Sequence, residues 1–191
     1  MGRCSLAGNV CGPGSKFYHT ICDQHNYWYT VCMDGRSMAK KLPRRIPRGN
    51  LDAGNIKAVG VWFRAQSTGR YLYLMRNDSK HNRTWGLPGG KVEAGETILE
   101  TMQRECQEEL GSMPQYLRLA PLEKFTSADS AFEYHTWICV VAEEFQPCLN
   151  HEHLGYAWID AGHWPRPMHP GLWNTLNIQD VQVKIQTMER D

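Results

Sequence analysis

The sequence predicts a mixed α/β fold in which strands and helices form packed layers, and three observations carry that expectation. β-rich runs recur from residue 56 onward, a capped amphipathic helix begins near residue 97, and the C-terminal stretch has apolar residues at helical spacing. Composition shifts near residue 50, dividing the chain into a small Cys-rich extension with a basic linker (1–50) and a main domain (51–191).

Within the extension, "YWYTVCMDGRSMA" (27–39) has the composition of a short strand followed by an Asp-Gly turn. "KKLPRRIPRGN" (40–50), with five basic residues and two prolines, reads as an extended, solvated arm. "IKAVGVWF" and "RYLYLMR" are strands separated by the turn-like "RAQSTG". The loop "NDSKHNRTWG" leads to "GLPGGKVEAGETILETMQRECQEELGS", a glycine turn placed directly before a helix. "PLEKFTS", "FEYHTWICVVAEEF" and "LGYAWID" are further strands, and "GLWNTLNIQDVQVKIQTMER" reads as one C-terminal helix.

Composition excludes several function classes. Hydrophobic residues make up 41% and charged residues 21%, ordinary values for a globular protein. A formal charge of +1 gives no global attraction to a polyanion or a membrane surface. No apolar run approaches the roughly 20 residues that span a bilayer, and "MGRCSLAGNVCGPG" lacks the apolar core of a secretory signal. The expectation is a cytoplasmic protein. Its seven cysteines, an odd number, fit reduced thiols better than a disulfide framework.

The chemistry lies on the first helix. Thr97 is a good N-cap, Glu100 completes a capping box, and Gly111 stands where a helix end favours a left-handed residue. Ile98, Leu99, Met102, Cys106 and Leu110 fall on one arc and form the expected core face. Glu105, Glu108 and Glu109 occupy an adjoining arc at i, i+3 and i+4, with Glu109 inside the edge of the apolar stripe. Three neighbouring carboxylates, one of them partly desolvated, destabilise a helix unless a cation compensates. Arg104 offsets one charge. A hard divalent ion such as Mg²⁺, which takes oxygen ligands, is the economical remainder. A solvated acidic helix face is the alternative.

Spacing adds context. Gly90 is followed by five free positions, then Glu96, seven more, and then Arg104-Glu105-Cys106-Gln107-Glu108-Glu109-Leu110-Gly111. This resembles the signature of the Nudix hydrolase family, matched at every fixed Gly, Glu and Arg, with departures only at Cys106 and Ser112. The stretch from Trp85 to Glu96 is similar to the loop, strand and turn of MutT-like members. The resemblance implies an α/β/α sandwich with a mixed sheet and metal-dependent hydrolysis of a nucleoside diphosphate linked to another group. By position it makes Glu105, Glu108 and Glu109 metal ligands, with the Gly90 carbonyl as a further ligand. Arg104 orients the carboxylates, and Glu96 and Glu93 support them. A fourth acid often precedes a tryptophan-containing strand by six residues in such enzymes; here that residue is Glu152, before Trp158, as ligand or general base. Glu143 and Glu144 are rivals, and Mn²⁺ is an alternative to Mg²⁺.

Substrate selectivity is less defined. Met168 or His169 stands where an asparagine clamps oxidised guanine in MutT, so the expectation broadens to a nucleoside triphosphate or small nucleotide derivative. Trp85, Tyr134, Trp158, Trp164 and Trp173 could stack on a base, with packing as the alternative. Arg64, Arg70 and Arg76 are candidate phosphate contacts. In the extension, Cys4, Cys11, His19, Cys22, His25 and Cys32 could ligate Zn²⁺, although no CxxC pair is present. The basic arm Lys40, Lys41, Arg44, Arg45 and Arg48 could contact nucleic acid. A homodimer is left open. Two other functions compete: a non-catalytic nucleotide sensor whose N-terminus binds a partner, and an RNA-end (cap) pyrophosphohydrolase.

Overall fold

The computed structural model describes residues 55–190, together with the backbone of strands 17–22 and 28–33. The domain boundary expected near residue 50, the candidate zinc ligands and the basic arm lie outside the described side chains.

In chain order the elements are β1 (Phe17–Cys22), β2 (Trp28–Met33), β3 (Ile56–Ala65), β4 (Tyr71–Arg76), β5 (Trp85–Gly86) and β6 (Gly89–Lys91). Then come α1 (Ile98–Leu110), β7 (Arg118–Thr126), β8 (Phe132–Val141), β9 (His153–Ile159), α2 (Pro170–Leu176) and α3 (Gln179–Arg190). The strands form one mixed sheet in the order β1-β2-β9-β4-β3-β8-β7, with β5 beside β4 and β6 beside β3. β3 and β8 pair in parallel from Ile56↔Phe132 to Ala65↔Val141, while the other named pairings are antiparallel. That parallel pair requires a long crossover, and α1 lies within it.

Alternation along β3 builds two cores. Val59, Val61, Phe63 and Ala65 pack with Met102, Cys106 and Leu110 of α1. Trp62 on the opposite face joins Leu172 and Leu176 of α2 and Val181, Ile185 and Met188 of α3. Helices therefore cover both faces, which is the sandwich expected.

Helix α1 begins and ends as its sequence dictates. The Thr97 side chain accepts the Glu100 N–H, the Glu100 side chain accepts the Thr97 N–H, and Gly111 adopts φ 87°. Two details differ from expectation. Leu99 is 51% exposed, and Thr101 is buried in its place; its hydroxyl donates to the Thr97 carbonyl and to Glu96 Oε2, so a polar residue is satisfied under the helix. The C-terminal helix is two helices, because Asn177 caps α2 by donating its N–H to Asn174 and Thr175 carbonyls. The apolar spacing runs through this break, so periodicity alone did not reveal it.

Candidate active site

Strand β6 carries the glycines beneath α1. Gly89 has φ +144°, and a Cβ there would overlap the Val59 carbonyl oxygen. Its N–H donates to Glu109 Oε2 at 2.8 Å. A Cβ on Gly90 would overlap Glu105 Oε1. The glycine pair thus lets backbone and carboxylates approach one another with no side chain between them.

Arg104 organises this approach. Its Nε and Nη2 donate to the two oxygens of Glu96 at 2.8 and 3.1 Å, and Nη2 also reaches the Lys91 carbonyl. Nη1 donates to Glu105 Oε1 at 2.8 Å and lies 3.6 Å from Glu108 Oε2. The two-pronged pair is therefore with Glu96, and Glu105 receives a single bond. Glu96 also accepts the Thr101 hydroxyl and the Glu93 N–H. The Arg104 bond, followed by these others, holds Glu96 down to about 2. A residue expected only to support the site is the anchor of its arginine.

The carboxylates differ in setting. Glu109 is 4% exposed; burial drives its carboxyl up to about 8, against the Gly89 N–H, while Glu105 and Glu152 add repulsion. Burial likewise raises Glu105, opposed by Arg104 and reinforced by Glu108 and Glu152. Glu152, exposed on the loop before β9, is near enough to add its repulsion to both helix carboxylates. The 152 backbone is fixed: its N–H donates to Asn150 Oδ1, and its carbonyl accepts the Asn77 N–H. Glu108, with its side chain 56% exposed, occupies the outer edge. The rival Glu144 is taken up by Arg70 and the Thr68 hydroxyl, each at 2.6 Å.

Among the described residues no three His, Cys, Asp or Glu side chains already converge as a ligand cage. The donor set nonetheless suits a divalent cation. It consists of hard oxygens, and the buried Glu109 carboxylate has Glu105 and Glu152 beside it, a combination that a cation relieves.

Around this centre the aromatic candidates separate. Trp85 and Trp158 are buried in the two cores. Trp173 is 36% exposed, with the Arg166 guanidinium 5.0 Å above its ring and Trp164 edge-on. Met168 bridges to Trp85, and the His169 side chain accepts the Gly171 N–H as the N-cap of α2. Tyr134 stands over Gly60, where a Cβ would overlap its hydroxyl. Burial and the nearby Glu109 push that phenol up to about 12. Gly60 was missed by sequence reasoning; its only signal was a glycine in the middle of a strand, which marks a close approach.

Comparison with known proteins bears on the family and the fold. The NUDIX domain family model matches residues 54–176. The nucleoside triphosphatase NudI of Escherichia coli O17:K52:H18 is 34% identical over 107 residues, covering 49% of this chain and 75% of that protein. NudI of Salmonella agona matches equally. Among solved structures, the Nudix hydrolase RenU of M. smegmatis has a TM-score of 0.55 at 20% identity, covering 71% of this chain and 88% of its own. The MutT protein of Methanosarcina mazei Go1 has a TM-score of 0.52 at 21% identity, covering 74% and 99%. These two structural likenesses bear on the fold alone. With a glycine loop, a capped acidic helix and a family match spanning most of the described residues, the chain belongs to the Nudix family, hydrolases of phosphorus anhydrides.

Proposed function

We propose that the protein is a Mg²⁺-dependent pyrophosphohydrolase that cleaves a nucleoside diphosphate linked to another group, with nucleoside triphosphates as the favoured substrate class. The observation that supports this reading is the acidic face of α1 against the glycine loop, where burial raises both the Glu105 and the Glu109 carboxyls and the charge of Glu152 adds to the repulsion at each. The relatives at 34% identity, named as nucleoside triphosphatases, support the substrate class.

Glu105, Glu108, Glu109 and Glu152, with the Gly90 carbonyl, are the residues that would hold Mg²⁺ or Mn²⁺. When bound, such a cation screens phosphate charge and acidifies water. The chain's own residues do the rest. Arg104, braced by Glu96, fixes the orientation of Glu105. Glu152, if not committed as a ligand, accepts the proton of the attacking water as its oxygen bonds to phosphorus and the bridging P–O bond breaks.

Glu108→Gln is the test, because this side chain is exposed and contributes little to the core. Loss of about 100-fold or more in kcat/KM with a retained melting temperature is expected. Unchanged turnover would remove the mechanism. Substrate class is read from a panel of nucleoside triphosphates, ADP-ribose, dinucleoside polyphosphates and capped RNA, with phosphorus products identified. Activity on none of these with either cation would favour a nucleotide sensor.

A further inference from the structure

Glu152 stands in the short run "LNHEHLG" (149–155), and the chain is pinned on either side of it. Leu149 is 3% exposed in the first core, and His153 is 8% exposed at the start of β9. Between these two buried points the chain makes a tight turn. Asn150 closes it: its Oδ1 accepts the Glu152 N–H at 2.9 Å, and its carbonyl accepts the His153 N–H at 3.4 Å. Glu152 is left exposed at the apex.

A second segment holds this apex from outside. Asn77, the residue after β4, donates its backbone N–H to the Glu152 carbonyl at 2.7 Å and its side-chain Nδ2 to the His151 carbonyl at 2.9 Å. The pairing of β4 with β9 is irregular just before this grip. Met75 faces Gly155 and Arg76 faces His153, so Leu154 is an extra residue on β9. Such a bulge bends its strand and re-aims neighbouring side chains. The ladder breaks step here, and the two Asn77 bonds give residues 151 and 152 a fixed place again. The loop behind Asn77 is itself closed: the Arg83 N–H donates to the Arg76 carbonyl at 2.8 Å, and Asp78 Oδ1 accepts the Lys80 and His81 N–H groups.

A carbonyl oxygen only accepts, so the His151 carbonyl requires a donor, and the short stem of asparagine sets its distance. We propose that Asn77 is a positioning residue: by holding the His151 and Glu152 carbonyls it fixes the turn that carries Glu152, and so sets the direction from which that carboxylate faces Glu105 and Glu109. This rests on the proposed pyrophosphohydrolase reading and deepens it. Asn77 acts through Glu152 and not on the substrate itself. Asn77 and Glu152 are both exposed, so the side-chain bond contributes little to global stability, and its value lies in geometry. A misplacement of about 1 Å in a reacting group costs on the order of 100-fold in rate.

The test is a double-mutant cycle on the full-length protein, with the nucleoside triphosphate that the wild type turns over best and saturating Mg²⁺. Asn77→Ala removes only the side-chain bond, because its N–H remains. It should lower kcat about tenfold, keep KM within about twofold and leave the melting temperature unchanged. Asn77→Gln, which keeps the donor on a longer stem, should recover part of the loss. In a Glu152→Gln background the same Asn77→Ala change should cost less than about twofold more, since the group it positions is gone. A readout independent of turnover is hydrogen exchange in metal-free protein. The Glu152 and His153 amides, both bonded to Asn150, should lose protection in Asn77→Ala while the central strands keep theirs. Equal losses from Asn77→Ala in both backgrounds, full activity of Glu152→Gln, or unchanged exchange at residues 152 and 153 would each overturn the positioning role. A wild type that hydrolyses none of the nucleotide panel overturns the pyrophosphohydrolase reading, and positioning for hydrolysis with it, even where exchange at Glu152 still depends on Asn77. The two failures are therefore distinguishable.

Discussion

Glu109 sits where a carboxylate is least welcome: buried, beside two other acids, and relieved within the fold chiefly by one backbone N–H. Stability and function conflict at this residue. Glu109→Gln keeps an acceptor for the Gly89 N–H and removes the burden of a desolvated ionisable group. Without divalent metal this variant should therefore be more stable than the wild type, by about 1–3 kcal/mol in urea denaturation. Added Mg²⁺ should raise the wild-type midpoint through preferential binding to the folded state and leave the variant nearly unmoved. A variant less stable than wild type in metal-free buffer would count against the burial argument. Gly90 bears on the same site by space rather than charge. In Gly90→Ala the new methyl overlaps Glu105 Oε1, so the carboxylate must swing away from Arg104. Hydrolysis should fall about 100-fold or more while circular dichroism stays native, because β6 lies at the border of the sheet and not in either core.

At the scale of single elements, α1 was the most legible part of the chain. Its capping box, its left-handed Gly111 and the inward position of Glu109 all follow from residue identities and a 3.6-residue period. Thr97→Ala removes the acceptor for the Glu100 N–H and should cost about 1 kcal/mol, read from urea midpoints. No change in midpoint would mean that packing alone holds the first turn. Strands β3, β4, β8 and β9 were equally readable from their β-branched and aromatic runs. What stayed hidden depended on contacts distant in sequence. The hydroxyl of Thr101 is buried because Glu96, five residues away in a loop, bonds to it, and Leu99 gives up the core position that periodicity assigned it. Arg76 looked like any strand arginine until Asp78 and Gly86 were seen to fix and admit its side chain. The break between α2 and α3 depends on backbone bonds at Asn177 that apolar spacing does not encode.

Taken whole, the molecule couples its second core to the glycine loop through one short segment. Trp85 donates its N–H to the Pro167 carbonyl and accepts the His169 N–H, each at 2.8 Å, so the strand opening the glycine loop is tied to the entry of α2. His169 then caps α2 through Nδ1, which must be unprotonated to accept the Gly171 N–H at 3.1 Å. Burial, followed by the neighbouring His81 ring and the Arg76 charge, lowers this imidazole to about 4, and burial lowers His153 to about 4 as well. The sign follows from linkage. Above about 6.5 both histidines are neutral whether folded or unfolded, and their contribution to stability is complete. As pH falls from about 6.5 toward 4 the unfolded chain takes up protons that these two imidazoles refuse when folded, so their contribution declines across that window and levels off below it, while the buried Glu109, raised to about 8, works in the opposite direction. Asp78 and Glu96, held near 2 by their hydrogen bonds, lose their contributions lower, as pH falls below the ordinary carboxylate range. The two windows are separable. His169→Asn preserves a capping acceptor without a titrating group, and its urea midpoint should hold up better than that of wild type as pH falls from 6.5 to 4 while the midpoint at pH 8 stays within about 1 kcal/mol of wild type. An identical decline in that variant would show that the cap of α2 does not titrate with folding, and that the tie between the second core and the glycine loop is indifferent to the charge of this histidine.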